Sequence, residues 1–199
     1  MKLTYILATA ALWTASLAVS AEVLPAPQVT GGAPLMDVMS ARQTRRDIDP
    51  TQTVSRQDLS NMLWAAWGIT HDGKHTVATA MNKQELVLYV ITATEISRFD
   101  PETNTLTTVN TGDFRDIAGR QDFAKTAPLN IALVVDTDKQ ARTEFQAYTT
   151  GAASQNIYLY CAQAGLKTVV RAMLHDAALS EALKLPDNEL LLYVQTVGK

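Results

Sequence analysis

The sharpest chemical signal in this chain is a cluster of three guanidiniums and a hydroxyl. Residues 42–46 read Arg-Gln-Thr-Arg-Arg. If this segment is extended, alternation places Arg42, Thr44 and Arg46 on one side. Arginine binds phosphate through paired hydrogen bonds, and a threonine hydroxyl can give or accept one more. The same residues also make a plausible solvated basic turn, so alone they leave both readings open.

Other chemistries find less support. His71, His75 and His175 are the only histidines, and the first two share a glycine-containing loop with Asp72. There is no HExxH and no CxxC, so a polar loop is the simpler reading and no metal is expected. No GxSxG nucleophile turn occurs. Cys161, the single cysteine, lies in an apolar helical stretch and reads as a buried structural thiol. Glu85 is the one acid placed beside a predicted strand in a suggestive loop; its plain reading is a solvated strand end.

The elements that must position these residues are signalled by periodicity. Pro34 suits the first turn of a helix that carries Leu35, Val38 and Met39 towards Arg42. Ser55 and Asp58 mark the start of a second helix, with Leu59, Met62, Leu63 and Ala66 on one face and Gly68 ending it. Residues 86–92 and 129–135 are apolar, buried strands, and 96–99 with 105–109 flank a turn at 100–104. Residues 113–126 read as partly helical. The longest helical pattern lies within 139–166, its small and apolar residues predicting burial on most sides, with Gly165 at its end. A short strand or loop at 169–170, a helix capped by Asp176 and a last strand at 190–197 follow. About four strands and about four helices, joined by both hairpins and long crossovers, predict an α+β fold with helices on a mostly antiparallel sheet.

Composition bounds the possibilities. The 199 residues are 47% hydrophobic and 19% charged, which excludes disorder and a polytopic membrane protein. Net charge is -3 with no basic run, so no nucleic-acid footprint is present. Lys2, the apolar stretch 3–19 and the small residues Val19, Ser20 and Ala21 have the layout of a secretory signal. The expected division is a signal peptide over 1–21, an extended lead-in outside the fold over 22–33, and one domain over 34–199. The protein is then exported, periplasmic or secreted, with no membrane contact after cleavage.

Taken with three further segments, residues 42–46 resemble the FMN-dependent nitroreductase family. Arg42, Thr44 and Arg46 match its R-x-S-x-R-like motif, with Thr for Ser. Residues 63–68 are similar to its alanine-rich helix, and residues 78–85 (Ala-Thr-Ala-Met-Asn-Lys-Gln-Glu) to its P-S-x-x-N-x-Q loop, with Ala78 for Pro and Thr79 for Ser. Gln121, Asp122 and Phe123, then Ala127 and Pro128, resemble its central segment. Gly151, Gln155 and Asn156 resemble its long core helix, and Val170, Arg171, Ala172 and Met173 its passage beside the flavin, where Gly is frequent at the place of Ala172. The 72–74 and 80–85 segments look most like an exported, SagB-type dehydrogenase-like subgroup.

The resemblance implies a homodimer with FMN at the interface and a small-molecule substrate. The cofactor residues it implies are Arg42, Thr44, Arg46, Thr79, Ala80, Met81, Asn82, Gln84, Arg171, Ala172 and the late basic Lys199, with the 78–84 loop serving the partner's flavin. Trp64, Trp67 and Met81 are candidates to line the substrate region. It implies hydride transfer from NAD(P)H through flavin N5 to a nitro, quinone or other aromatic acceptor, with no side chain needed as acid or base. Two alternatives stand beside it: an exported flavin- or ligand-binding protein of the same fold without turnover, and an interaction protein with an empty cleft.

Overall fold

The computed structural model describes residues 20–199. The expected signal peptide therefore lies outside the described residues, apart from Ser20 and Ala21. Seven strands form one sheet: β1 (Ala21–Val23), β2 (Leu86–Ile91), β3 (Glu95–Asp100), β4 (Thr105–Thr111), β5 (Leu129–Asp136), β6 (Lys167–Arg171) and β7 (Glu189–Gly198). Their spatial order is β1-β4-β3-β2-β5-β7-β6, and all pairings described are antiparallel. The helices are α1 (Leu35–Ala41), α2 (Arg56–Trp67), α3 (Asp122–Thr126), α4 (Thr143–Ala164) and α5 (Asp176–Ala182). This is the expected α+β architecture, an antiparallel sheet flanked by helices.

β2, and β5 apart from Asn130 and its last residue Asp136, are apolar runs because both their faces are covered. Leu86, Leu88 and Val90 of β2 pack with Leu59, Met62 and Leu63 of α2 and Ile157 of α4. Tyr89 and Ile91 turn to the other face, against Leu179 and Leu183 near α5. α2 starts where its capping residues predict: Asp58 N donates to Ser55 Oγ at 3.0 Å, and that hydroxyl donates to the Asp58 carboxylate at 2.6 Å. α2 stops at Gly68, where a Cβ would stand 2.1 Å from Trp64 Cδ1. α4 ends on left-handed Gly165, φ 67°.

Three features differ from expectation. The sheet has more strands than predicted, partly because residues 22–33 are not outside the fold. They are extended, but β1 pairs with β4, Leu24 is buried, and Gln28 N donates to Asn61 Oδ1 at 2.8 Å. The open edge of β4 needs hydrogen-bond partners, and Pro25 and Pro27, which have no N–H, stop the added strand early. Finally, α4 is not buried on most sides: Tyr148, Gly151, Gln155 and Gln163 are exposed. The sheet and α2 cover only one side of it within a protomer.

Candidate functional site

Residues 42–46 leave α1 in an extended conformation, Arg42 having φ −58° and ψ 123°. They run along β6, an edge strand, where Arg45 N donates to Thr168 O at 3.0 Å. Arg42 and Thr44 face one way and Arg45 the other. Arg45 turns away to Asp47, Nε to Oδ1 at 2.8 Å, and Lys167 Nζ lies 3.1 Å from the same carboxylate. These two cations hold the Asp47 carboxyl well below the usual range, first through the Arg45 hydrogen bonds. Gln43 and Arg45 line a cavity of about 200 Å³ with Tyr158, Cys161 and Lys167. Burial pushes the Cys161 thiol up to about 12, so it remains protonated and inert.

Arg42 and Thr44 make direct contacts with Tyr158 of α4. The Arg42 guanidinium lies over the tyrosine ring, 5.4 Å from its centroid, and Thr44 Oγ1 is 3.1 Å from the hydroxyl. Among the described residues neither Arg42 nor Arg46 has a carboxylate partner. An anion site needs this: cations that the protein's own acids have not neutralised, next to a hydroxyl. Ala172 and Met173 are exposed just past β6. Lys199 is exposed at the end of β7, and Asp49 N donates to its carbonyl at 2.7 Å, so it sits at the same end of the sheet.

Arg171 corrects the sequence expectation. Its guanidinium is buried: Nε donates to Thr196 Oγ1 at 2.8 Å, Nη1 to Ala118 O and Nη2 to Asn130 Oδ1, both at 2.9 Å. Burial lowers its pKa to about 10, which still leaves a cation at neutral pH. Only its main chain stays on the β6 edge. Gly119 makes room for this cation, since a Cβ there would stand 1.7 Å from Nη1.

The 78–84 loop holds the second group of candidates. Met81, Asn82 and Gln84 all have positive φ, between 52° and 55°. Non-glycine residues resist this region by roughly 1–2 kcal/mol each, and such strain gathers where a loop's shape matters for function. Thr79 fixes the turn: its Oγ1 accepts Gln84 N and its carbonyl accepts Asn82 N, both at 3.1 Å. Ala80 is half-buried, Met81 and Asn82 are exposed, and Gln84 Nε2 reaches Gly73 O at 3.3 Å. With His71, Lys74 and His75, the residues Thr79, Asn82 and Gln84 line a cavity of about 350 Å³.

His75 stacks on Trp67 at 3.7 Å, and partial burial lowers its pKa. Trp67 is buried, while Trp64 lines a groove between α2, α4 and residues 28–33. Among the described residues no three His, Cys, Asp or Glu side chains gather as a metal site would need. Glu85 is not a solvated strand end: it is fully buried, Thr149 Oγ1 donates to Oε1 at 2.6 Å, and Oε2 has no partner.

The two groups do not meet within one chain. Thr168, beside Arg45, is level with Val197 and hence Leu129, whereas Leu86, just after the loop, is level with Val135. That separates them by about 20 Å along the strands and about 14 Å across three strand spacings. Sequence reasoning passed over Tyr158 altogether. A tyrosine in a helix face otherwise apolar was the available signal, because a buried hydroxyl needs partners.

Comparison with known proteins agrees with this fold. The family model described as the nitroreductase family matches residues 39–199. A nitroreductase candidate from Methanocaldococcus jannaschii is 26% identical over 175 residues, covering 79% of this chain and 88% of its own. The crystal structure of a nitroreductase candidate from Ralstonia eutropha JMP134 superposes with a TM-score of 0.84 at 34% identity, covering 90% of this chain and 89% of that one. Another from Desulfovibrio desulfuricans, solved in complex with FMN, gives a TM-score of 0.64 at 20% identity over 84% of this chain and 87% of that one. An antiparallel sheet whose edge carries two unneutralised arginines, matched by a family model over nearly all the described chain, makes this protein a member of the nitroreductase family.

Proposed function

We propose that the protein is an exported, homodimeric oxidoreductase that holds FMN and reduces a small nitro, quinone or other aromatic acceptor at the expense of NAD(P)H. The observation that carries this reading is that Arg42 and Arg46, either side of Thr44 in an extended segment along the β6 edge, have no carboxylate partner among the described residues. Family membership supports flavin oxidoreduction, and the Desulfovibrio desulfuricans relative has FMN bound.

Arg42 and Arg46 would neutralise the phosphate, with Lys199 nearby at the same sheet end. Thr44 would add a hydroxyl contact. Main-chain N–H groups around Ala172 would face the ring's polar edge. Asn82 and Gln84 would reach it from a second protomer, because the 78–84 loop lies at the wrong end of the sheet in the first. The exposed face of α4, with Tyr148, Gly151 and Gln155, offers the surface on which two copies can meet. When bound, FMN supplies the hydride chemistry, so the chain's residues need only bind, orient and polarise it. The subgroup and export readings rest on the 72–74 and 80–85 segments and on the apolar leader.

The visible spectrum of the purified protein tests this directly. Flavin absorption at one FMN per protomer, bleached anaerobically by NADH or NADPH, is expected. A colourless protein that takes up no added FMN would sink the proposal. The exposed alanines Ala78 and Ala172, at positions where the family favours proline and glycine, motivate a second reading: flavin that no donor reduces would make this a binding protein.

A further inference from the structure

We propose that Tyr158 is a positioning residue whose hydroxyl makes Thr44 a hydrogen-bond donor towards a phosphoryl oxygen of the cofactor; this rests on the FMN reading above. The β6 edge is only half completed by residues 42–46. Arg45 N takes Thr168 O, but no backbone carbonyl of residues 42–46 is bonded to Val170 N. The Tyr158 hydroxyl fills that rung, accepting Val170 N at 3.1 Å.

The 3.1 Å contact with Thr44 leaves either oxygen free to donate, and the Val170 contact bears on which one does. An oxygen that accepts an N–H keeps its single proton for another partner. The other polar contact of that hydroxyl among the described residues is Thr44 Oγ1, at 3.1 Å. If Thr44 were the donor, the tyrosine proton would have no protein acceptor among the described residues, on a side chain only 7% exposed. Tyr158 therefore donates to Thr44, and the threonine proton is free for a ligand on the exposed side of the 42–46 segment.

The three outward groups are then all donors, which favours an anionic, acceptor-only ligand group over an amide or a hydroxyl. Hydrogen bonds in such a series also polarise one another. The same ring carries the Arg42 guanidinium, so one side chain of α4 sets two of the three groups. Tyr158 itself does not touch the ligand.

Tyr158→Phe keeps the ring and its Arg42 contact and removes only the hydroxyl. Dissociation constants for FMN and for riboflavin, which lacks the phosphate, are measured by flavin fluorescence. They are taken for the wild type, Tyr158→Phe, Thr44→Val, Thr44→Ser and the Tyr158→Phe/Thr44→Val pair. Tyr158→Phe is expected to weaken FMN about tenfold and riboflavin less than about twofold, since loss of a hydrogen bond to a charged group is felt only where the charge is. Thr44→Val should match it, Thr44→Ser should stay near wild type, and the pair should be no worse than Thr44→Val alone.

Equal weakening of both flavins, additive losses, or an unchanged FMN constant in Tyr158→Phe overturns the relay while leaving the flavin reading intact. A wild type that binds no FMN overturns both. If Tyr158→Phe fails to fold, the two Thr44 variants, on an exposed segment, still decide: Val and Ser binding FMN alike refutes the donor role.

Discussion

The Arg42→Ala/Arg46→Ala double variant is expected to purify without flavin and to bind added FMN roughly a hundredfold to ten-thousandfold more weakly than the wild type. Each guanidinium offers charge-assisted hydrogen bonds of about 1.5–3 kcal/mol, and about 1.4 kcal/mol is a factor of ten. The loss falls on binding and not on the fold, because neither arginine has a carboxylate partner among the described residues. Apart from the stacking of Arg42 on Tyr158, little native structure goes with them. Thermal unfolding of the apo-protein should therefore move little while the fluorescence titration moves far. Arg45→Ala is the internal control. That side chain is turned to Asp47 and its backbone bond to Thr168 survives the change, so FMN affinity should hardly respond. Equal losses from Arg45→Ala and Arg42→Ala would show that only the local positive charge matters and that alternation along the segment has no role.

The second large effect concerns stability. Arg171→Met is expected to cost about 3–5 kcal/mol, because it leaves three buried neutral oxygens without their donor, at about 1–3 kcal/mol each, while relieving the desolvation of the cation. The guanidinium satisfies three oxygens, on Thr196, Ala118 and Asn130, that no water replaces once an apolar side chain fills the space. Thr196 Oγ1 keeps its bond to Asn130 Oδ1 at 2.7 Å, which limits the loss. At about 2–4 °C per kcal/mol for a chain of this size, the melting temperature should fall by roughly 6–20 °C. Lysine at 171 should recover only part, because one ammonium cannot reach three acceptors spread around a planar fork. Gly119→Ala approaches the same cluster from the opposite side and should be comparably damaging. A melt of Arg171→Met within about 2 °C of the wild type would mean that the cluster is not structural.

Arg171 also shows where the sequence was legible and where it was misread. Alternation correctly separated Arg42 and Thr44 from Arg45, because an extended segment with one side on a sheet edge obeys a period of two. The same rule, applied to β6, puts Val170 and Ala172 on one side and Arg171 on the other. A family motif that treats the stretch as a unit hides that. Helices α2 and α4 were legible because Ser55, Asp58, Gly68 and Gly165 mark their ends by local backbone chemistry. Strands β2 and β5 were legible because burial on both faces leaves an apolar run.

What local sequence could not carry is non-local. Glu85 sits at a loop end and reads as exposed, yet Thr149 on α4, distant along the chain, covers it. The lead-in reads as free because nothing near it reveals that β4 lacks a neighbour on its outer side. Strand order likewise decides that the 42–46 and 78–84 segments lie far apart, and no motif reports strand order.

That separation has a genetic consequence. If each flavin site takes residues 42–46 from one protomer and the 78–84 loop from the other, damage to either segment disables both sites of a homodimer. Two alleles, one altered at Arg42 and Arg46 and the other at Asn82, would each encode an inactive protein. Expressed together they would form mixed dimers in which one of the two sites receives both intact segments, so two defective genes would restore part of the activity that neither supplies alone.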